Sequence, residues 1–244
     1  MYADPNEPLL KDEQNNEMND FELEASIKEK IREGFIAKVY GIITYQLVIT
    51  SIVIYFSLVS PWFKNLLLHS FGLYITNIFL TFFLLLLPIC SPQFYTNVPI
   101  NYIILTIFTI SYSCLIAMQV CLYSVSSIMV ALFLTFVTVI SLTIYAWKTE
   151  KDFTIVGGTL FVALILLLFS SLILIFIRIP LLNIVITYIS LILFCIYLIY
   201  DTQLLIGSGR FKFTEDDYIL AAINIYLDII ILFLKILSIV GKKE

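Results

Sequence analysis

Charge is scarce in this chain. Charged residues make up 13% of its 244 residues, whereas a soluble domain carries about 25%. Hydrophobic residues account for 61%, and the mean hydropathy is +1.01. This balance excludes an ordinary soluble domain and indicates a membrane protein with several spans, so its expected environment is the lipid bilayer. The net charge of −4 identifies no partner, because ten of the eighteen acidic residues precede position 34, and no nucleic-acid partner is expected.

Histidine and paired cysteines are also lacking. His69 is the one histidine in the sequence, and the four cysteines form no CxxC pair. Zinc sites need several clustered His or Cys ligands, and a serine nucleophile needs a histidine base. Membrane aspartyl proteases have a glycine after the aspartate, whereas the two aspartates inside apolar runs here are followed by Thr202 and Ile229. We therefore expect no enzyme, no cofactor, no structural metal and no disulfide framework.

The first 34 residues are polar and acidic, and they contain no apolar run that would make a cleaved signal peptide. Their early part is too polar to bury a core, so we expect it to be largely disordered. From Phe21 onward, the segment FELEASIKEKIREGF is typical of a short helix leading into the first span. Residues 1–34 are thus predicted to form a cytosolic tail.

Seven apolar runs are long enough to be membrane helices, since about 20 residues cross the ~30 Å hydrocarbon layer. The break YSVSS between the third and fourth runs is the least certain, and an even count with one re-entrant run is the alternative. We expect an all-α membrane protein with a seven-transmembrane-helix bundle at residues 35–241 and a short C-terminal end at 242–244. The predicted spans are 35–59, 66–89, 102–123, 126–147, 155–177, 181–205 and 218–240.

Lysine and arginine near the span ends predict the orientation of the protein. Eight lie on the side of the N-terminus and five on the other side, which predicts a cytosolic N-terminus. The first group is Lys28, Lys30, Arg32, Lys38, Lys148, Lys151, Arg210 and Lys212, and the second is Lys64, Arg178, Lys235, Lys242 and Lys243.

Two aspartates stand inside apolar runs, Asp201 in LFCIYLIYDTQLLIG and Asp228 in AAINIYLDIIILFLK. Asp228 belongs to a stripe with intervals of four and three residues, which places its members on one helix face. Lipid cannot satisfy such a stripe, so it should face the bundle interior or a water-filled cavity. The stripe consists of Asp217, Ala221, Asn224, Asp228, Ile231 and Lys235.

A short connection makes the two helices that carry these aspartates antiparallel neighbours. Asp201 lies near the end of its run and Asp228 two to three turns into the next, so contact between them is an inference. If they meet, both cannot easily ionise, and they would share a proton and titrate as a pair. The pair would then be a proton-sensitive gate or, when charged, a cation site. The alternative is a structural hydrogen bond that ties the two helices together.

Several segments resemble the Bax inhibitor/Lifeguard (TMBIM) family. YDTQLLIG and, after a short basic loop, EDDYILAAINIYLDII closely resemble its signature. REGFIAKVYGIITYQLVIT and VPINYIILTIFTIS resemble its first and third spans, and WKTEKDFT resembles the connection between its fourth and fifth. The resemblance covers residues 32–241, and the Lifeguard branch fits better than the Bax-inhibitor branch.

This resemblance implies a central last helix surrounded by the other six, calcium leak and protection from cell death. It implies residence in the endoplasmic reticulum or Golgi, with the plasma membrane or another endomembrane as alternatives. It also implies that Asp201 and Asp228 line the pore as a pH-sensitive latch, with calcium bound there transiently. The supporting polar positions that we assign are Tyr197, Thr202, Gln203, Asn224 and Arg210.

The chain departs from the family pattern at two places. Members often have a basic cluster at the end of the second span, but no lysine or arginine occurs between Lys64 and Lys148 here. Arg210 is the candidate to replace that partner of the latch. Many members also have Asn where this chain has Ile231, which shortens the polar stripe.

Two functions from different classes follow. The first is a calcium-permeable, proton-sensitive leak channel. The second is a non-conducting membrane regulator of apoptosis that acts through apoptotic or calcium-channel protein partners. A receptor interpretation would depend on seven spans alone, since no long external segment or external cysteine pair is present.

Overall fold

The structure is a computed structural model that describes residues 7–91, 93–177 and 179–242. In these ranges the chain is helical almost throughout, with one short 3-10 helix, Phe153–Val156, before α7. The helices are α1 (Glu7–Val59), α2 (Pro61–His69), α3 (Phe71–Cys90), α4 (Gln93–Thr96), α5 (Ile100–Val120), α6 (Val125–Lys148), α7 (Gly157–Phe176), α8 (Pro180–Ile206) and α9 (Tyr218–Val240).

Seven of these helices, α1, α3 and α5 to α9, are long and apolar enough to cross a membrane. The predicted all-α membrane fold with seven spans is therefore confirmed. The second span begins at Phe71 and not at residue 66, because the chain breaks at Ser70 between α2 and α3. Hydropathy did not reveal this break, since three leucines at positions 66–68 shortly precede it and a long apolar run follows it.

The last helix is central. α9 packs against α1, α5, α6 and α8, and most of its residues are buried. The side chains of α7, in contrast, are largely exposed to the bilayer. The ring of Tyr218, the first residue of α9, lies 3.1 Å below the Lys38 ammonium of α1. Its hydroxyl accepts a hydrogen bond from Asn101 of α5 at 2.7 Å, so the start of α9 is fixed to two neighbours.

The predicted tail, residues 1–34, enters the described ranges at Glu7. From there α1 continues as one helix into the first span, which includes the helix expected from Phe21. Helix-forming Glu and Lys residues recur in this stretch, and Lys28 pairs with Glu24 one turn earlier at 3.6 Å. Pro8 stands in the first turn, where a missing N–H is tolerated. A polar composition is therefore compatible with a helix as well as with disorder.

The bundle has two ends, which we name by their residues. The N-side end holds Arg32 and the loop of residues 207–217, because Arg32 contacts the backbone of Phe213. The far end holds α2 and the end of α9. Arg178 and Lys243, which enter the orientation prediction, lie outside the described residues, as does residue 244 of the C-terminal end.

Candidate functional site: a buried aspartate pair

Asp201 and Asp228 come together inside the bundle. Asp201 is 4% exposed and Asp228 is 3% exposed, and their carboxyl groups lie in hydrogen-bond contact. A hydrogen bond between two carboxyl groups requires one of them to carry a proton. The Oδ2 atom of Asp228 has no hydrogen-bond partner among the described residues. The arrangement would therefore allow the two acids to share a proton, with one acceptor atom left unused.

The end of α8 brings Asp201 to this position. Gly207 ends the helix in the left-handed conformation, with φ of 76°, which glycine adopts without a steric penalty. The backbone N–H of Gly207 donates a hydrogen bond to Gln203 O at 2.9 Å. The connection to α9 is short, and Asp217 closes it by accepting hydrogen bonds from the backbone and side chain of Thr214. α8 and α9 consequently lie antiparallel, with their acids facing each other.

Two tyrosines of α8 flank the pair. Tyr197 interacts electrostatically with both Asp201 and Asp228, and Tyr200 does so with Asp201. A Cβ atom added to Gly157 of α7 would lie 2.6 Å from the Tyr200 hydroxyl. The lack of a side chain at Gly157 thus leaves room for the Tyr200 ring between α7 and α8.

The other supporting positions that we assign from the sequence have separate roles in the structure. The Thr202 hydroxyl donates to Leu198 O of its own helix at 2.6 Å. Gln203 accepts from Phe153 N at 2.7 Å and donates to Lys151 O at 2.9 Å, so it ties α8 to the α6–α7 connection. Asn224 is half-buried one turn before Asp228 on α9.

Arg210 lies in the loop of residues 207–217, and its guanidinium is 5.8 Å from the Phe211 ring. Its backbone N–H donates to Asp152 Oδ2 at 2.9 Å. No ion pair between Arg210 and either acid of the pair is found within the described ranges. Its assignment as the replacement latch partner therefore stays a prediction.

Sequence reasoning missed Arg32. Its guanidinium donates to two backbone carbonyls at the end of α8, Leu204 O at 2.6 Å and Ile206 O at 3.2 Å, and to Phe213 O of the following loop at 2.7 Å. It thereby binds carbonyls in the last turn of α8, where a helix lacks its own donors. Arg32 was counted only as a charge for orientation, and nothing in its local sequence indicates a contact with α8.

A hydroxyl network between α1, α5 and α9 was also missed. Thr50 Oγ1 lies 2.8 Å from the Tyr226 hydroxyl and 2.9 Å from Ser113 Oγ. Gln46, one turn before Thr50, donates to Thr109 Oγ1 at 3.2 Å. A sequence signal did exist, because Gln46 and Thr50 in one span and Thr109 and Ser113 in another are polar residues at a spacing of four.

The connection between α6 and α7 carries a further acid, Asp152. Hydrogen bonds from the Thr154 hydroxyl, at 2.6 Å, and from the Arg210 backbone N–H lower the pKa of Asp152 below its ordinary value of 3.8. This acid joins two loops at the N-side end of the bundle. Its hydrogen bonds within the described residues go to Thr154 and Arg210 and not to the buried pair.

The pair does not make a closed metal site. No group of three or more His, Cys, Asp or Glu side chains that could hold a metal occurs in the described part of the chain. Calcium prefers six to eight oxygen ligands, and the two carboxyl groups supply at most four. They suit brief contact with a cation that keeps water ligands.

Comparisons with known proteins show which family the sequence of this chain matches. The family model "Inhibitor of apoptosis-promoting Bax1" matches residues 32–244. "BI1-like protein" of Arabidopsis thaliana is 36% identical over 221 residues, covering 89% of this chain and 84% of that protein. "Protein lifeguard 3" of Mus musculus is 34% identical over 88% of this chain and 71% of its own length. "Protein LIFEGUARD 4" of A. thaliana is 36% identical over 88% of this chain and 87% of its own length. The chain is therefore a multi-pass membrane protein that belongs to the Bax inhibitor/Lifeguard family, a family of apoptosis-related membrane regulators.

Proposed function

We propose that this protein is a pH-sensitive, calcium-permeable leak channel of intracellular membranes, and that Asp201 and Asp228 form its gate. The endoplasmic reticulum or the Golgi is the proposed location, with the N-terminus in the cytosol. Calcium is the transported ion, and no catalytic activity is assigned. The observation that carries the proposal is the contact of two carboxyl groups inside a membrane bundle, where acids are costly and usually mark ion or proton pathways.

The shared proton supplies the pH sensitivity. While one carboxyl group is protonated, the pair is held together by its hydrogen bond and both acids stay buried. Loss of that proton leaves two negative charges in contact, which repel each other. The repulsion separates α8 from α9 and at the same time creates an attractive site for a cation. Calcium flux should therefore be greater at neutral pH than at acidic pH.

The buried position of the pair makes this conformation a closed one. Ile231 lies about one helical turn from Asp228 and Phe194 about two turns from Asp201, and both line a cavity at the far end. We take these apolar side chains as the barrier between the cavity and the acids. Separation of α8 and α9 would move both side chains and open that barrier, because Phe194 belongs to α8 and Ile231 to α9.

Calcium flux into dye-loaded liposomes tests the proposal. Purified wild type, Asp201→Asn and Asp228→Asn are compared at acidic and neutral pH. Asn keeps the size of the side chain but cannot ionise, so each variant should lose the pH dependence of the flux. Asp216→Asn is the matched control, because Asp216 is an exposed acid of the loop before α9, and its flux should equal that of wild type.

A folded wild-type protein that gives no more flux than empty liposomes would overturn the channel proposal. Flux whose pH dependence survives in both Asn variants would show that the gate lies elsewhere. Circular dichroism and elution as a single species confirm that each variant is folded before its flux is interpreted.

A second candidate is a non-conducting regulator of apoptosis that acts through protein partners. The observation that favours it is an exposed apolar stripe on the part of α1 before the first span. Leu23, Ile27 and Ile31 are 59%, 48% and 52% exposed, and their spacing of four places them on one face. An apolar stripe flanked by acids is typical of a helix that binds a partner helix or groove.

Substitution of all three stripe residues by Ser separates the two candidates. A partner-dependent regulator should lose protection of cells against apoptosis-promoting Bax while its calcium flux in liposomes is unchanged. A channel whose protection depends on flux alone should be unaffected in both assays. Under the channel hypothesis, Asp228→Asn should change both the calcium flux and the protection of cells.

A further inference from the structure

A cavity of about 540 Å³ lies at the far end of the bundle, between α9, the start of α8, α7 and the end of α5. This volume is in the range of small-molecule sites. It is separate from the aspartate pair, since neither acid lines it. Its wall combines a single cation with several neutral polar groups and a row of leucines.

The cation is Lys235 of α9. It lies five residues before the end of the helix, which is about 7 Å along the axis, and its side chain is half-buried. No acid lines the cavity, and within the described residues no carboxylate pairs with the Lys235 ammonium. Asp228 on the same helix is two turns away. The countercharge of Lys235 is therefore not supplied by the described part of the chain.

The polar groups that line the cavity together with Lys235 include donors that an anion could use. Asn183 and Thr187 of α8 and Ser238 of α9 line the same cavity, and the Thr187 hydroxyl donates to Asn183 O at 2.8 Å. The Asn183 amide and the Ser238 hydroxyl are hydrogen-bond donors. Together with the ammonium they match the oxygen atoms of a phosphate or carboxylate group.

The α7 side of the wall is apolar and lies at the outer surface of the bundle. Leu164, Leu167 and Leu168 of α7 line the cavity, and Leu168 is 51% exposed to the bilayer side. Asn183 also borders a second cavity of about 400 Å³ whose other lining residues include Leu174 and Ile179. A molecule with an anionic head and an acyl chain fits this division better than a small soluble anion, because the leucine wall would otherwise stay unoccupied.

We propose that this cavity is a binding site for an anionic lipid of the surrounding membrane, with its head group on Lys235, Asn183 and Ser238 and an acyl chain along the leucines of α7. The competing explanation is that Lys235 extends its ammonium to the membrane surface, as lysines near helix ends do. The two explanations differ in one measurable respect, which is selective retention of an anionic lipid.

Native mass spectrometry of the full protein released from nanodiscs tests the site. The nanodiscs contain equal amounts of phosphatidylcholine and phosphatidylserine. Wild type should retain one phosphatidylserine in preference to phosphatidylcholine, and Lys235→Gln should lower that preference by about tenfold, the effect of removing a charged hydrogen bond. Lys235→Arg should keep it. Lys64→Gln is the matched control, because Lys64 lies in α2 at the same end of the bundle but outside the cavity.

Leu167→Trp gives a second test that leaves the charge in place. The larger ring should fill the acyl part of the cavity and displace the lipid while Lys235 is intact. Equal retention by wild type and Lys235→Gln would overturn the proposal in favour of an interfacial lysine. In nanodiscs of phosphatidylcholine alone, protection of wild type against heat by inorganic phosphate, lost in Lys235→Gln, would identify a soluble-anion site and also overturn it.

Discussion

Individual side chains show how a membrane protein keeps acids in place. Asp201 and Asp228 interact with each other, and among the described residues neither forms an ion pair with a basic side chain. This explains how the chain can lack lysine and arginine between positions 64 and 148. The basic residue that does contact α8, Arg32, binds carbonyl oxygens and not the acids. Under the proposed function, a shared proton would hold the two acids together.

Asp152 gives a residue-scale prediction about pH. Its folded-state pKa is lowered by hydrogen bonds from Thr154 and Arg210, so its contribution to stability is present above the unfolded value of 3.8 and is lost as the pH falls through the lower folded value. Asp152→Asn should lower the unfolding temperature at neutral pH, and the difference from wild type should shrink below pH 3.8. Thermal unfolding in detergent measures this. A difference that grows on acidification would contradict the assignment.

The identity of the two key acids could be predicted from the sequence, because an aspartate among apolar residues is conspicuous. Their contact could not, since Asp201 and Asp228 occupy unequal depths in their helices and helical spacing gives no distances between helices. Thr202 and Gln203 show that a shared motif does not reveal hydrogen-bond partners. They share a motif with Asp201, but their hydrogen bonds serve helix α8 and the loop before α7.

At the scale of one element, the end of α8 depends on Gly207. Its φ of 76° is strained for any residue with a Cβ, and that atom would lie 3.1 Å from Arg32 Nε. Gly207→Ala should therefore destabilise the protein by roughly 1–2 kcal/mol, the cost of a left-handed residue. Thermal unfolding measures the loss. Gly158→Ala is the matched control, since that position in α7 has open space around it, and it should unfold no earlier than wild type.

Arg32 of α1 is predicted to stabilise the end of α8 through its hydrogen bonds to backbone carbonyls. Arg32→Lys replaces a planar group that reaches three carbonyls by an ammonium that cannot match their geometry. Backbone amides of residues 207–217 should exchange hydrogen faster in this variant, as followed by mass spectrometry. Lys30→Gln removes a charge from the exposed side of α1 and should leave the exchange unchanged. Equal exchange in wild type and Arg32→Lys would exclude the clamp.

The whole molecule gives a prediction of orientation. Lysine and arginine are more frequent at the N-side end, which predicts that this end faces the cytosol. Because the sequence contains no Asn-x-Ser/Thr sequon, single sequons can be introduced without background. A sequon inserted near Lys64 of α2 should be glycosylated, whereas one inserted in the loop of residues 207–217 should not. The reverse pattern would place the N-terminus on the luminal side.

The number of spans and the outline of the bundle were predictable, because hydropathy and helix length are properties of the chain itself. The break at Ser70 and the reach of α1 back to Glu7 were not. Apolar length does not distinguish one helix from two short ones in series, and polar composition does not distinguish an exposed helix from a disordered segment.

The central position of α9 has a consequence for biosynthesis. Three buried polar groups each take one partner from this helix, Thr50 from Tyr226, Asn101 from Tyr218 and Asp201 from Asp228. α9 is synthesised after the other six spans, so those spans enter the membrane with these partners still missing. Each unsatisfied polar group costs several kcal/mol in lipid. A ribosome that stops before Tyr218 therefore leaves a bundle with polar groups open at its centre, and insertion of the final helix is the event that completes it.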